Sequence, residues 1–135
     1  MGLDALNHFT IRTADLAATR AFYVEVLGME EGHRPPLGFP GHWLYCGGMP
    51  TVHLVGPRES DAGEPPRRPQ PTGLFDHIAF SCTGLAEMRA RLQRHGVAFS
   101  ERVVPRDGQT QLFLHDPDGV AVELNFPPQE TTAAA

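Results

Sequence analysis

Lysine is missing from this chain: all eleven of its basic residues are arginine. That excludes a Schiff-base lysine, and it excludes a Gly-rich phosphate loop ending in Lys. Cysteine is scarce. Cys46 and Cys82 are too few and too far apart for a disulfide scaffold or a zinc ribbon. Free thiols in a reducing cytoplasm are expected. No apolar run approaches the roughly 20 residues of a membrane span. The opening Met-Gly-Leu-Asp-Ala-Leu lacks the charged n-region and apolar core of a secretory leader. Positive charge is also short, with 11 basic against 16 acidic residues and a formal net charge of −5. This argues against a nucleic-acid backbone as partner. Neither nucleic acid nor a membrane is expected, and a small molecule is the remaining partner class.

What is present is organised around residues 75–126. Asp116-Pro117-Asp118-Gly119 is a turn sequence: Pro presets one negative φ, Asp caps locally, and Gly takes a left-handed position. Apolar residues on both sides make it a β-hairpin. Glu123 then falls inside the second strand, sharing a face with Ala121 and Asn125. A carboxylate in such a strand is costly unless it is paired or metal-bound. Leu74 to Phe80 reads as another apolar strand, and His77 is its polar residue.

The first half has the same order of elements. Leu6 to Thr13 reads as a strand with His8, Thr10 and Arg12 on one face. Asp15 caps a helix that runs to about Val26 and is closed by Gly28. Met29 to Arg34, His42 to Cys46 and Pro50 to Val55 are expected strands, the last carrying His53. In the second half, Gly84 to His95 is the helix, and Ala98 to Val104 and Gln111 to Leu114 are strands. His77 lies 69 residues after His8, and Glu123 lies 70 after His53. The chain is thus an internal repeat of strand, helix and three strands. The modules span about 5–55 and 74–126, inside one domain of residues 1–126. The Pro-rich, charged segment 56–73 joins them as an exposed linker. Residues 127–135 are expected to be a disordered tail. Modules this small need partners, so a homodimer is expected.

Each half offers a polar residue from its first strand (His8, His77) and from its fourth (His53, Glu123). Two histidines and a carboxylate suit Fe(II), Mn, Ni, Zn or Co, with positions left for substrate. His53 is a fourth ligand, an acid–base group or a structural histidine. Arg12 is a candidate for a substrate carboxylate or phenolate, or for a salt bridge. Trp43, Tyr45 and Phe113 are candidates for the wall of an aromatic pocket, or for core. Asn125, beside Glu123, is a further candidate substrate contact.

Four stretches carry a resemblance: Leu6-Asn7-His8-Phe9-Thr10, then Ala21-Phe22-Tyr23 with Val26-Leu27-Gly28-Met29, then Phe75-Asp76-His77-Ile78-Ala79-Phe80, and Asp116-Pro117-Asp118-Gly119 with Val122-Glu123-Leu124. In this order and spacing the chain resembles the vicinal oxygen chelate superfamily. Its members include glyoxalase I, fosfomycin-resistance thiol transferases, bleomycin-binding proteins and extradiol ring-cleaving dioxygenases. The resemblance covers about residues 5–126. It implies an α+β fold in which two βαβββ modules form a cupped, eight-stranded mixed sheet around one metal. The family's ligand positions match His8, His77 and Glu123.

For the reaction, the resemblance leaves alternatives open. Glyoxalase I has glutamate where this chain has His53. Extradiol dioxygenases have an acid–base histidine there, but they also place a tyrosine where this chain has Phe113. The expectation is a metal-dependent enzyme binding a substrate through two adjacent oxygens, with Fe(II) favoured and ring cleavage of a catechol-type aromatic set first. A glyoxalase I-like lyase or isomerase acting on a thiol adduct of a ketoaldehyde is the alternative. A non-catalytic drug-binding resistance protein is the third.

Overall fold

Polar–apolar alternation builds the strands seen in the computed structural model, which describes residues 1–63 and 71–133. Residues 64–70 of the expected linker and 134–135 of the expected tail lie outside the described residues. The chain divides into two units, Met1–Arg68 and Pro69–Ala135, so the division falls within the expected linker.

The first unit contains β1 (Phe9–Arg12), α1 (Leu16–Ala21), a π-helical turn (Phe22–Val26), β2 (Glu30–Gly32), β3 (Gly41–Cys46), β4 (Met49–Val55) and a 3-10 turn (Glu59–Asp61). The second contains β5 (Ile78–Ser81), α2 (Leu85–Arg94), β6 (Ser100–Val103), β7 (Thr110–His115), β8 (Ala121–Phe126) and α3 (Pro128–Ala133). Each unit holds a four-stranded mixed sheet, ordered β1-β4-β3-β2 and β5-β8-β7-β6. In both, the first strand runs parallel to the fourth and the other pairs are antiparallel. This is the expected α+β fold of two βαβββ modules, its eight strands divided between two four-stranded sheets.

One face of each sheet is apolar and buried. In the first unit Ile11, Leu44, Val52 and Leu54 lie on it, and Phe22, Tyr23 and Val26 of the helical segment are buried as well. Leu112, Leu114, Val122, Leu124, Phe126, Leu85 and Leu92 are their counterparts in the second. Each such side chain contributes about 1.5–3 kcal/mol by leaving water. The other face carries the polar residues, because strand side chains alternate.

Asp15 caps α1 as expected, its side chain accepting from the Ala18 amide at 3.0 Å. The helix does not stay α-helical to Val26. The Leu27 amide reaches back to the Phe22 carbonyl at 3.0 Å, the five-residue spacing of a π-turn, before Gly28 turns off at φ 83°.

Two strands are shorter than alternation suggests. β1 begins at Phe9 rather than Leu6. In the β1–β4 register Phe9 faces Val52, and two positions earlier the partner is Pro50. Pro50 has no amide to donate, and its carbonyl accepts from His53 Nε2 at 2.9 Å. β5 begins at Ile78 rather than Leu74, because the Val120 backbone is already used by the turn. The Val120 amide donates to Asp116 Oδ1 at 2.8 Å, and its carbonyl accepts from the Asp116 amide at 2.9 Å. The same Oδ1 accepts from Asp118, and Gly119 sits at φ 88°, so the hairpin turn has the chemistry its residues imply. His8 and His77 therefore both stand immediately before their strands, and both are exposed.

The tail differs from expectation. Residues 128–133 form α3, and Glu130 Oε1 accepts from the amides of Gly84 (2.8 Å) and Leu85 (3.1 Å). Gly84, left-handed at φ 84°, has no side chain to cap α2, so a carboxylate from the end of the chain does it. Glu130→Ala is expected to cost roughly 0.5–2 kcal/mol, as for loss of an N-cap. Hydrogen exchange at Leu85 to Met88 checks this, and unchanged protection there would refute the capping role. No helix among the described residues is long and apolar enough to cross a membrane.

Candidate functional site

Each unit carries candidate polar residues on its own polar face, at equivalent register positions. His53 pairs with Thr10 on β1 and Trp43 on β3. Glu123 pairs with Ala79 on β5 and Phe113 on β7. His53 and Glu123 are thus the same position of the repeat, as the 70-residue offset implies, and Trp43 matches Phe113.

In the first unit three rings stack. His53 lies between His8, at 3.8 Å and 13°, and Trp43, at 4.0 Å and 10°. His53 Nε2 donates to the Pro50 carbonyl, which leaves Nδ1 as the lone-pair nitrogen. Burial, then the neighbouring His8, lower the His53 pKa; the Pro50 bond opposes this and Arg34 adds to it. The imidazole is therefore held neutral at pH 7. His8 Nδ1 donates to Asn7 Oδ1 at 2.6 Å, so its Nε2 carries the lone pair.

In the second unit His77 repeats this arrangement. Its Nδ1 donates to Asp76 Oδ2 at 2.7 Å, and its Nε2 is 3.7 Å from Glu123 Oε1. That separation is too long for a hydrogen bond but less than twice a usual metal–ligand bond of about 2.0–2.2 Å. The Asp76 hydrogen bond raises the His77 pKa; partial desolvation opposes it, and the Glu123 charge adds to the rise. Glu123 is oriented from behind: Asn125 Nδ2 donates to its Oε2 at 2.8 Å, and Gln111 Nε2 donates to Asn125 Oδ1 at 3.0 Å.

The donor chemistry fits a divalent cation. Both histidines have Nδ1 tied to a side-chain oxygen and Nε2 left over, the usual outer-shell device of a metal-binding histidine. The carboxylate is fixed by an amide rather than neutralised by an arginine. Among the described residues no group of three His, Cys, Asp or Glu side chains is gathered as a metal cluster; His77 and Glu123 are brought together in their unit.

The other expected residues divide. Trp43 is spent on the His53 ring. Tyr45 donates its hydroxyl to the His33 carbonyl at 2.5 Å, and its ring fills the space beside Gly32. Arg12 is on the expected face, but it is ion-paired to Asp61 at 2.7 Å. Phe113 stands directly across from Glu123, half-buried. Asn125 holds the carboxylate. Asn7, Asp76 and Gln111 were missed as orienting groups; the oxygen-bearing residue just before each histidine was the available signal.

Comparison with known proteins adds the following. The family model described as the Glyoxalase/Bleomycin resistance protein/Dioxygenase superfamily matches residues 5–124. Glyoxylase I 4 of Arabidopsis thaliana is 32% identical over 128 residues, covering 90% of this chain and 70% of that protein. Biphenyl-2,3-diol 1,2-dioxygenase 3 of Rhodococcus globerulus is 32% identical over 148 residues, covering 94% and 67%. A mutant of the fosfomycin resistance protein FosX from Listeria monocytogenes, solved with Mn(II) and a dihydroxypropylphosphonic acid, superposes with a TM-score of 0.71. It covers 99% of this chain and 100% of its own, and at 19% identity the likeness is one of fold.

Proposed function

Because the chain belongs to the Glyoxalase/Bleomycin resistance protein/Dioxygenase superfamily, we propose that it is a divalent-metal-dependent enzyme acting on a substrate with two adjacent oxygens. His8, His77 and Glu123 are the ligands in this proposal, drawn from one chain or from two chains of a homodimer. The observation that carries it is the His77–Glu123 pair, with Nε2 and Oε1 facing each other at 3.7 Å and each group oriented by its own neighbour. When bound, a divalent cation supplies Lewis-acid polarisation of the two substrate oxygens.

His53 is the acid–base residue. It receives a substrate proton at Nδ1, because Nε2 already donates to Pro50. Its neutrality at pH 7 makes it competent as a base. The stack with Trp43 and His8 holds the ring plane. These groups support proton transfer, so lyase or isomerase chemistry of the glyoxalase type is the first reading. Ring cleavage of a catechol-type aromatic, placed first by resemblance alone, becomes the second. Histidine rather than glutamate at position 53 favours it. Against it, Phe113 faces Glu123 and presents no phenolic hydroxyl there.

The test combines metal analysis with turnover on tag-free protein purified anaerobically. About one equivalent of metal per chain is expected. Nickel or zinc restoring turnover of a ketoaldehyde–thiol adduct to stripped protein supports the first reading. Oxygen uptake with catechols, restored only by Fe(II), supports the second. His53→Gln should lower kcat by about 10²–10⁴-fold in either case, with metal content unchanged. No metal after back-loading would refute the enzyme and leave a ligand-binding protein.

A further inference from the structure

A second feature of the first unit lies at the far end of the His53 face. A cavity of about 470 Å³ is lined by residues 38–40 and 57–60. Phe39 is one of its walls, and two guanidiniums lie over that ring: Arg58 at 4.3 Å and Arg34 at 5.0 Å from the centroid. Neither arginine has a carboxylate partner among the described residues, and the Nε of each is buried without a hydrogen bond. Arg34 Nη2 donates to the Phe39 carbonyl at 3.0 Å. For the Arg58 guanidinium the described residues provide no acceptor.

Asp61 feels the Arg58 charge, but it takes no hydrogen bond from that guanidinium. Asp61 Oδ1 accepts from Arg12, and Oδ2 accepts from the backbone amide of Arg58 at 3.0 Å rather than from its side chain. The Arg12 hydrogen bond, then the Arg58 amide, hold Asp61 below the ordinary carboxylate range; partial desolvation opposes this, and the Arg12 and Arg58 charges add to it. Glu59, on the cavity wall, is exposed and forms no ion pair with either arginine among the described residues. The walls are held in place: the Gly56 amide donates to the Pro40 carbonyl at 2.9 Å, which clips the two lining segments together. A side chain at Gly41 would meet Arg34 Nη2 at 2.9 Å. Gly41 lies on the same face of β3 as Trp43, the partner of His53, so Arg34 is on the His53 side of the sheet.

We propose that this cavity is an oxyanion subsite, in which the Arg58 guanidinium binds the carboxylate or phosphate of a small-molecule ligand and Arg34, 5.0 Å from the Phe39 ring centroid, adds to the positive field. Arg58 brings a planar fork of N–H donors suited to either oxyanion. Assigning that anion to the substrate of the chelate site rests on the reading above; anion binding itself needs no metal.

The test is a ¹H–¹⁵N NMR titration of metal-free protein with inorganic phosphate and, separately, with acetate, against chloride at matched ionic strength. Saturable shifts are expected for the amides of residues 38–41 and 57–61 and for the Arg58 Nε–H. Arg58→Gln should weaken binding by about tenfold or more, the loss of a charge-assisted hydrogen bond. Arg34→Gln should weaken it by roughly 2–5-fold, as for a partly exposed charge. Arg58→Lys should recover part of the affinity, and the same spectra confirm that each variant is folded. Saturation by phosphate alone, or by acetate alone, assigns the oxyanion. Shifts that never saturate, that match those in chloride, or that saturate with unchanged affinity in Arg58→Gln would overturn the proposal, whatever the metal analysis finds.

Discussion

Glu123→Gln is expected to leave the protein folded and to weaken divalent-cation binding by on the order of 100-fold or more. Outer-shell partners of a metal ligand are each worth about 10–100-fold, and a direct ligand exceeds them. The substitution keeps the shape and the Asn125 contact but removes the charge. Asn125→Ala tests the shell itself: it frees Glu123 Oε2, which Asn125 holds at 2.8 Å, and should cost about 10–100-fold. Isothermal titration with Zn²⁺ and Ni²⁺ reads both variants. Equal affinity in wild type and Glu123→Gln would remove Glu123 from the ligand set and the carrying observation with it.

Tyr23→Ala carries the largest expected effect on stability, a loss of about 3–5 kcal/mol, the usual cost of deleting a large buried aromatic. Tyr23 is 0% exposed, packs edge-on to Phe22 at 5.3 Å, and accepts from the Met29 amide at 2.9 Å through its carbonyl. It lies in the π-turn and is fully buried, so its removal leaves an interior cavity that the surrounding packing fills only in part. Thr10→Ala, at an exposed position, should stay within about 0.5 kcal/mol. Urea unfolding followed by the fluorescence of Trp43, the single tryptophan, separates them. A difference below about 1 kcal/mol would show that the Tyr23 site relaxes freely.

Several features were legible before any coordinates, for local reasons. Strand alternation put Glu123 and Asn125 on one face, and the hydrogen bond between them is its consequence. The Asp116–Gly119 turn follows from four consecutive residues. Asp15 caps the helix three residues on. The repeat offsets placed His53 and Glu123 at one register position, which the strand pairing reproduces.

Other features were not legible, because their partners are distant in the chain. β1 and β5 look longer in sequence than they are, since alternation cannot register that Pro50 and Val120 have already spent their backbone groups. The cap of α2 comes from Glu130, 46 residues away, so residues 128–133 looked like tail. Arg12 could be a substrate contact or half of a salt bridge in sequence, and its partner Asp61 lies 49 residues later. Arg34 and Arg58 are 24 residues apart in sequence, and only the fold brings both guanidiniums onto the Phe39 ring.

The amino-acid sequence by itself determined the family and the duplicated βαβββ plan, and it offered His8, His77 and Glu123 as candidate ligands, because motifs, periodicity and spacing are properties of neighbours along the chain. Only the tertiary structure decided which nitrogen of each histidine carries the lone pair, which carboxylates are engaged, and which arginines lack an ion pair among the described residues. Those depend on hydrogen-bond partners that strand pairing and loop packing bring together, and side-chain chemistry alone does not choose among them.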